Sequence, residues 1–138
     1  MANKSIYLLD SFALLAYLND EAGCTRVQEI LALAESRKCR VVMCLVNLGE
    51  VLYITERERG LAMAQGVLAL TESLALELLD ASRDLVLDAA HIKANHPLSY
   101  ADAFATAAAV RENAVVVTGD PEFRSVEELI KIEWLGSN

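Results

Sequence analysis

Four acidic residues each adjoin or interrupt an apolar segment. Asp10 follows Ile6-Tyr7-Leu8-Leu9, Glu50 lies within Leu48-Gly49-Glu50-Val51-Leu52, Asp102 within Ser99-Tyr100-Ala101-Asp102, and Asp120 within Thr118-Gly119-Asp120-Pro121. Taken singly, each has an ordinary structural explanation. Asp10 can cap a helix, Asp102 stands at the capping-box spacing from Ser99, Asp120 occupies a common turn sequence, and Glu50 can be a solvated helical side chain. Gathered in one place they make a different kind of chemistry. At about 6 Å, each ionised pair repels by roughly 3 kcal/mol at an effective dielectric of about 20, so the cluster stores on the order of 10 kcal/mol. A protein tolerates that by raising carboxylate pKa values or by binding cations. Mg²⁺ and Mn²⁺ prefer such oxygen ligands. An ion held this way equips a site for phosphodiester hydrolysis by a metal-activated water, with no His, Cys or Lys nucleophile.

Such a cluster needs elements that bring distant residues together, and the chain alternates short aliphatic runs with helical ones. Strands are expected at Ile6–Leu9, Val41–Met43, Leu74–Leu79, Ala114–Thr118 and, shortest, Lys131–Trp134. Helices are expected over Ser11–Leu18, Cys24–Ser36, Leu45–Arg59, Leu61–Ser73 after the stop at Gly60, Ser82 to about Ala94, and Ser99–Glu112. Within Leu45–Arg59, Val46, Gly49, Leu52 and Tyr53 are read as one side. The alternation predicts an α/β fold, a three-layer α/β/α sandwich with a central parallel sheet of four to five strands. Ala101, Ala105, Ala108 and Ala109 would let their helix lie close to the sheet. Functional grooves in such folds lie outside the carboxyl ends of the strands, and Asp10 and Asp120 both sit just past one.

Composition narrows the class. The 138 residues fit one domain over 1–138 and are 54% hydrophobic but only 6% aromatic, which favours helices packed on a sheet over a stacking platform for bases. No apolar run approaches a bilayer span, and the start lacks a signal-peptide layout, which predicts a soluble cytoplasmic protein with no membrane partner. Cys24, Cys39 and Cys44 are odd in number and lack metal-site spacing, so reduced buried thiols are expected. His91 and His96 read as structural or surface residues. The net charge of −8 opposes nucleic-acid binding unless cations cover the acids. Backbone steering would then fall to Arg37, Lys38 and Arg40 and to Arg57 and Arg59.

At the acidic residues the chain resembles a PIN domain, and more closely a VapC-type toxin ribonuclease of the archaeal kind. The matching segments are Leu8–Leu18, Val46–Val51, Leu98–Phe104 and Val117–Phe123, in the family's order and spacing. The resemblance implies a homodimer with Mg²⁺- or Mn²⁺-dependent endoribonuclease activity on an RNA substrate, held inactive by an antitoxin protein. It maps the catalytic, metal-ligating acids onto Asp10, Glu50, Asp102 and Asp120. Asp10 and Asp120 would be the principal ligands, with Glu50 and Asp102 completing the cluster directly or through water. Ser11, Asn47 and Thr118 match accessory positions, and Glu122 stands where many relatives carry an aspartate, as an optional outer group. The apolar helices between Leu45 and Leu70 are the expected antitoxin contact.

Two other classes compete. One is a catalytically inactive PIN-like scaffold that binds RNA or protein. The other is a different acid-cluster enzyme. A haloacid-dehalogenase-type phosphatase wants Asp-x-Asp after the first strand, which Asp10-Ser11-Phe12 breaks. A phospho-acceptor receiver domain wants paired acids at strand one and a late lysine; only Asp80 after strand three fits.

Overall fold

The computed structural model describes residues 4–136, so the outermost residues of the expected 1–138 domain lie outside the described ones. The chain runs β1 (Ser5–Leu9), α1 (Ser11–Leu18), α2 (Cys24–Glu35), β2 (Cys39–Cys44), α3 (Leu45–Arg59) and α4 (Leu61–Ser73). It continues through β3 (Glu77–Leu79), α5 (Arg83–Asn95), α6 (Tyr100–Glu112), β4 (Val115–Thr118), a 3₁₀ turn (Pro121–Val126) and β5 (Lys131–Trp134). All five strands are parallel, in the order β3-β2-β1-β4-β5. The inner strands carry unbroken apolar runs, Ile6–Leu9, Val41–Cys44 and Val115–Val117, because both faces are covered, whereas the edge strand β5 is Lys-Ile-Glu-Trp. On β1, Ile6 and Leu8 pack towards α5 and α6, while Leu9 joins Ala13, Val27 and Ile30 of α1 and α2. A third cluster seats Leu14, Met43, Leu48, Val51 and Val67 between α1, α3 and α4.

Helix α6 is the innermost. Every residue from Asp102 to Ala109 is buried, and its alanines allow close approach to both the sheet and α5. Asn113, at φ +53, closes it with backbone bonds to Ala109 and Val110. Gly60, at φ +91, ends α3 and begins α4, a reversal that a side chain would strain.

Two expectations are corrected. The third strand is only Glu77–Leu79, because it pairs with β2 over three residues at the sheet edge. Leu74 and Leu76 pack on the core from the turn before it. On α3 the buried side is Asn47, Leu48, Val51 and Thr55, while Tyr53 and Gly49 face solvent. Polar residues enter that side where tertiary bonds reach them: Thr55 Oγ1 donates to the Val51 carbonyl and Asn47 Nδ2 to that of Ala101, while Asn47 Oδ1 is buried without a partner among the described residues. Apolar periodicity cannot register such residues.

Phe123, in the 3₁₀ turn after β4, is fully buried against the α6 side of the sheet. Phe123→Ala is therefore expected to cost about 3–5 kcal/mol in urea unfolding. A loss below about 1 kcal/mol would show that the turn is not anchored by this ring.

Candidate active site

The carboxyl edge of the sheet collects the acidic residues. Asp10 stands between β1 and α1, and its carboxylate is buried, with 1% of the residue exposed. One oxygen caps α1 by accepting from the Ala13 amide at 2.8 Å; the other accepts from Thr118 Oγ1 at 2.5 Å, at the end of β4. The Thr118 hydroxyl also accepts from the Asp120 amide at 2.9 Å. One hydroxyl thus joins the carboxylate after β1 to the backbone after β4. Next to Asp10, Ser11 Oγ donates to Glu50 Oε1 and lies against Asn47.

Asp102 shows how a capping position is released for other work. Ser99 caps α6, its hydroxyl accepting from the Asp102 amide at 3.1 Å. A reciprocal capping box would bind the Asp102 carboxylate to the Ser99 amide. That amide donates instead to Glu122 Oε1, at 3.0 Å. The Asp102 carboxylate remains available, and an oxygen from each of Asp102, Asp120 and Glu122 lies within 4.8 Å of the others. Asp120 also accepts from the Glu122 amide at 2.9 Å, so the turn explanation for Asp120 holds together with its place in the cluster.

The electrostatics reflect the crowding. Burial pushes Asp10 up to about 7, against the opposing bonds from Thr118 and Ala13, with the Asp120 charge adding to the rise. Burial and then the charges of Asp120 and Asp10 push Asp102 up to about 8. The Asp120 charge therefore reaches both Asp10 and Asp102, and the Asp10 charge reaches Asp102. Glu50 is tied to them through Ser11 and is not among the three that close on one point. Glu122, expected as an optional outer group, is one of the three. Its signal was its position two residues after Asp120 in the same tight turn.

The expected steering clusters are elsewhere. Arg37, Lys38 and Arg40 lie at the amino end of β2, opposite the acids, and Arg40 is engaged by Glu77 and Glu112. Arg57 and Arg59 lie at the far end of α3, where Arg57 stacks on Tyr53. Cys24, Cys39 and Cys44 are free and buried. His96 bonds the Ile92 carbonyl at 3.0 Å, away from the acids.

A divalent cation fits the acid cluster. The donors are all carboxylate oxygens, three are close enough to share one ion, and the cluster otherwise relieves its repulsion by holding protons.

The PIN domain family model matches residues 7–129. The chain belongs to the PIN domain family. No curated protein matches it. The fold of this PIN domain is similar to that of VapBC2 from Rickettsia felis bound to promoter DNA, with 19% identity, 95% of this chain and 99% of that one covered, and a TM-score of 0.75. DNA-bound VapBC from Salmonella typhimurium gives 22%, 96%, 99% and 0.73. VapC20 of Mycobacterium tuberculosis, a sarcin–ricin loop cleaving toxin, gives 21%, 88%, 95% and 0.69. At these identities the likeness is one of fold.

The raised pKa values set a direction for stability. Asp10 and Asp102 hold protons in the folded chain that the unfolded chain releases above about pH 4, so the stability of the metal-free protein falls as pH rises from there through about 7 to 8. A divalent cation bound at the cluster would replace those protons. Mn²⁺ or Mg²⁺ is thus expected to raise the melting temperature by several degrees at pH 8.5 and by little at pH 5.5. Equal shifts at both pH values would separate the raised carboxyls from the ion.

Proposed function

We propose that this PIN domain is a Mg²⁺- or Mn²⁺-dependent endoribonuclease and the toxin component of a VapBC-type toxin–antitoxin pair. The observation that carries the reading is the convergence of Asp102, Asp120 and Glu122 oxygens beside the buried Asp10 at the carboxyl edge of the sheet. A bound divalent cation supplies positive charge for the phosphate oxygens and lowers the pKa of water, which is what phosphodiester hydrolysis requires. The chain's part is to hold and orient. Asp102, Asp120 and Glu122 offer the ligand oxygens, Asp10 completes the cluster from β1, and Thr118 fixes the Asp10 carboxylate. Ser11 positions Glu50 at the flank, where it meets the cluster through water.

The antitoxin reading rests on the α3–α4 surface. Met63 and Leu70 are exposed at a groove of about 230 Å³ that Leu15, Leu18, Thr55 and Val67 help to line, and Leu61 is exposed on the same helix. An apolar helix of an antitoxin would cover it. A homodimer and a cytoplasmic location belong to the same reading. Among the described residues no helix is long and apolar enough to cross a membrane.

Cleavage of a structured total-RNA preparation, with Mg²⁺, with Mn²⁺ and with EDTA, tests it. Asp10→Asn keeps an oxygen for the Ala13 amide but removes the charge. It is expected to lower cleavage by at least about a hundredfold with an unchanged or raised melting temperature in EDTA. Equal cleavage by both proteins would mark a contaminant. An Asp10→Asn protein that unfolds at markedly lower temperature would make the residue a structural cap.

A further inference from the structure

The hydrolytic cluster is acidic in an already acidic chain, so something near it must hold a polyanion. Four arginines are occupied by carboxylates: Arg26 by Glu133 and Glu29, Arg40 by Glu77 and Glu112, Arg83 by Asp84, and Arg111 by Asp88. Lys4, Arg37, Lys38 and Lys131 sit at the amino ends of strands, across the sheet from the acids. Arg124 is different. It lies in the 3₁₀ turn that Asp120 begins, is exposed, and forms no ion pair among the described residues. Its guanidinium carbon lies 5.6 Å from the centre of the Trp134 ring.

Trp134 ends β5 and stands in register with Thr118, the residue that holds Asp10. The Leu135 amide donates to the Thr118 carbonyl at 2.8 Å, which fixes the end of β5 against the site strand. Partners in a parallel sheet lie about 4.8 Å apart with side chains on the same face. The indole is therefore one strand from the acid cluster, and Trp134 leaves 40% of its surface exposed. On the other side, the Phe12 ring is packed so tightly on Gly119 that an added Cβ would come within 2.4 Å of it, yet Phe12 remains 42% exposed. In a chain with few aromatics, two exposed rings and an uncommitted guanidinium border the same acidic turn.

We propose that Trp134, with Arg124 stacked on it and Phe12 across the turn, is a nucleobase platform that holds single-stranded RNA beside the acid cluster. The inference rests on the ribonuclease reading and deepens it: the substrate is an unpaired segment with at least one base free to stack. A flat apolar ring accepts any base face, and the guanidinium reaches the adjoining phosphate. In a duplex both faces of each base are already covered, so the platform favours loops and single strands.

Trp134 is the single tryptophan, so its emission reports on the platform directly. The full chain, at low ionic strength, in EDTA and in parallel with Ca²⁺ to cover the acids, is titrated with a single-stranded oligoribonucleotide of about ten nucleotides, and with the same sequence as a duplex. Saturable quenching by the single strand, and several-fold less by the duplex, is the expected result. By anisotropy of the labelled single strand, Trp134→Ala should bind about tenfold more weakly. Trp134→Phe, which keeps an aromatic face, should recover most of the affinity, and Arg124→Gln should weaken binding and flatten its salt dependence. Absence of binding, binding without quenching, or wild-type affinity in Trp134→Ala would overturn the platform. None of these measurements reads cleavage, so they leave the hydrolysis reading to its own assay. A quenched Trp134 in a protein without Asp10-dependent cleavage would instead remove the nuclease and keep the platform.

Discussion

The buried carboxylate of Asp10 joins the fold to the site. Burying a charge is costly unless its bonds are met, and both Asp10 oxygens are used, one on the first turn of α1 and one on the Thr118 hydroxyl. Those bonds fix the end of β1, the sheet's central strand, to the end of β4. Because Thr118 also receives the Asp120 amide, the position of the second acid follows from that of the first. The same neighbourhood that makes Asp10 a good cap keeps it short of water and raises its pKa. Structural and chemical explanations of this residue are therefore one arrangement.

The turn after β4 extends the arrangement outward. Asp120 and Glu122 bring carboxylates to Asp102, Glu122 frees Asp102 by taking the Ser99 amide, and Phe123 anchors the segment in the core. Arg124, one residue further, returns to the surface beside Trp134. Within five residues the chain passes from clustered carboxylates to core to an exposed cation. The net charge of −8 then ceases to argue against a nucleic-acid partner. The negative charge at the site is the part that a bound cation would neutralise, and most other basic side chains are committed to ion pairs or lie at the opposite end of the strands.

Much of this was readable in the sequence for physical reasons. Unbroken aliphatic runs such as Val115-Val116-Val117 announce strands covered on both faces, and Ser82, Ser99 and Gly60 mark helix ends by their chemistry. Helices α1 and α3 and strand β5 begin and end where patterning puts them. Less readable was anything decided by tertiary bonds. Asn47 and Thr55 face inward where partners on α6 and α3 take the Asn47 Nδ2 and Thr55 Oγ1 donors, which no hydrophobic period reveals. The shift of Glu122 into the cluster depends on the Ser99 amide, 23 residues away. That β5 brings Trp134 beside Thr118 follows from strand order, which local sequence does not encode.

The central claim, that these carboxylates exchange protons for a divalent cation, is tested most directly by counting the protons. Calorimetric titration of Mn²⁺ into the protein, in two buffers of different ionisation enthalpy, gives the number released per ion. With Asp10 near 7 and Asp102 near 8, binding at about pH 6.5 should release between about one and two protons, falling towards zero near pH 9.5. Asp102→Asn should reduce the release by about one. Binding with no proton release at either pH, or release that Asp102→Asn leaves unchanged, would contradict the account.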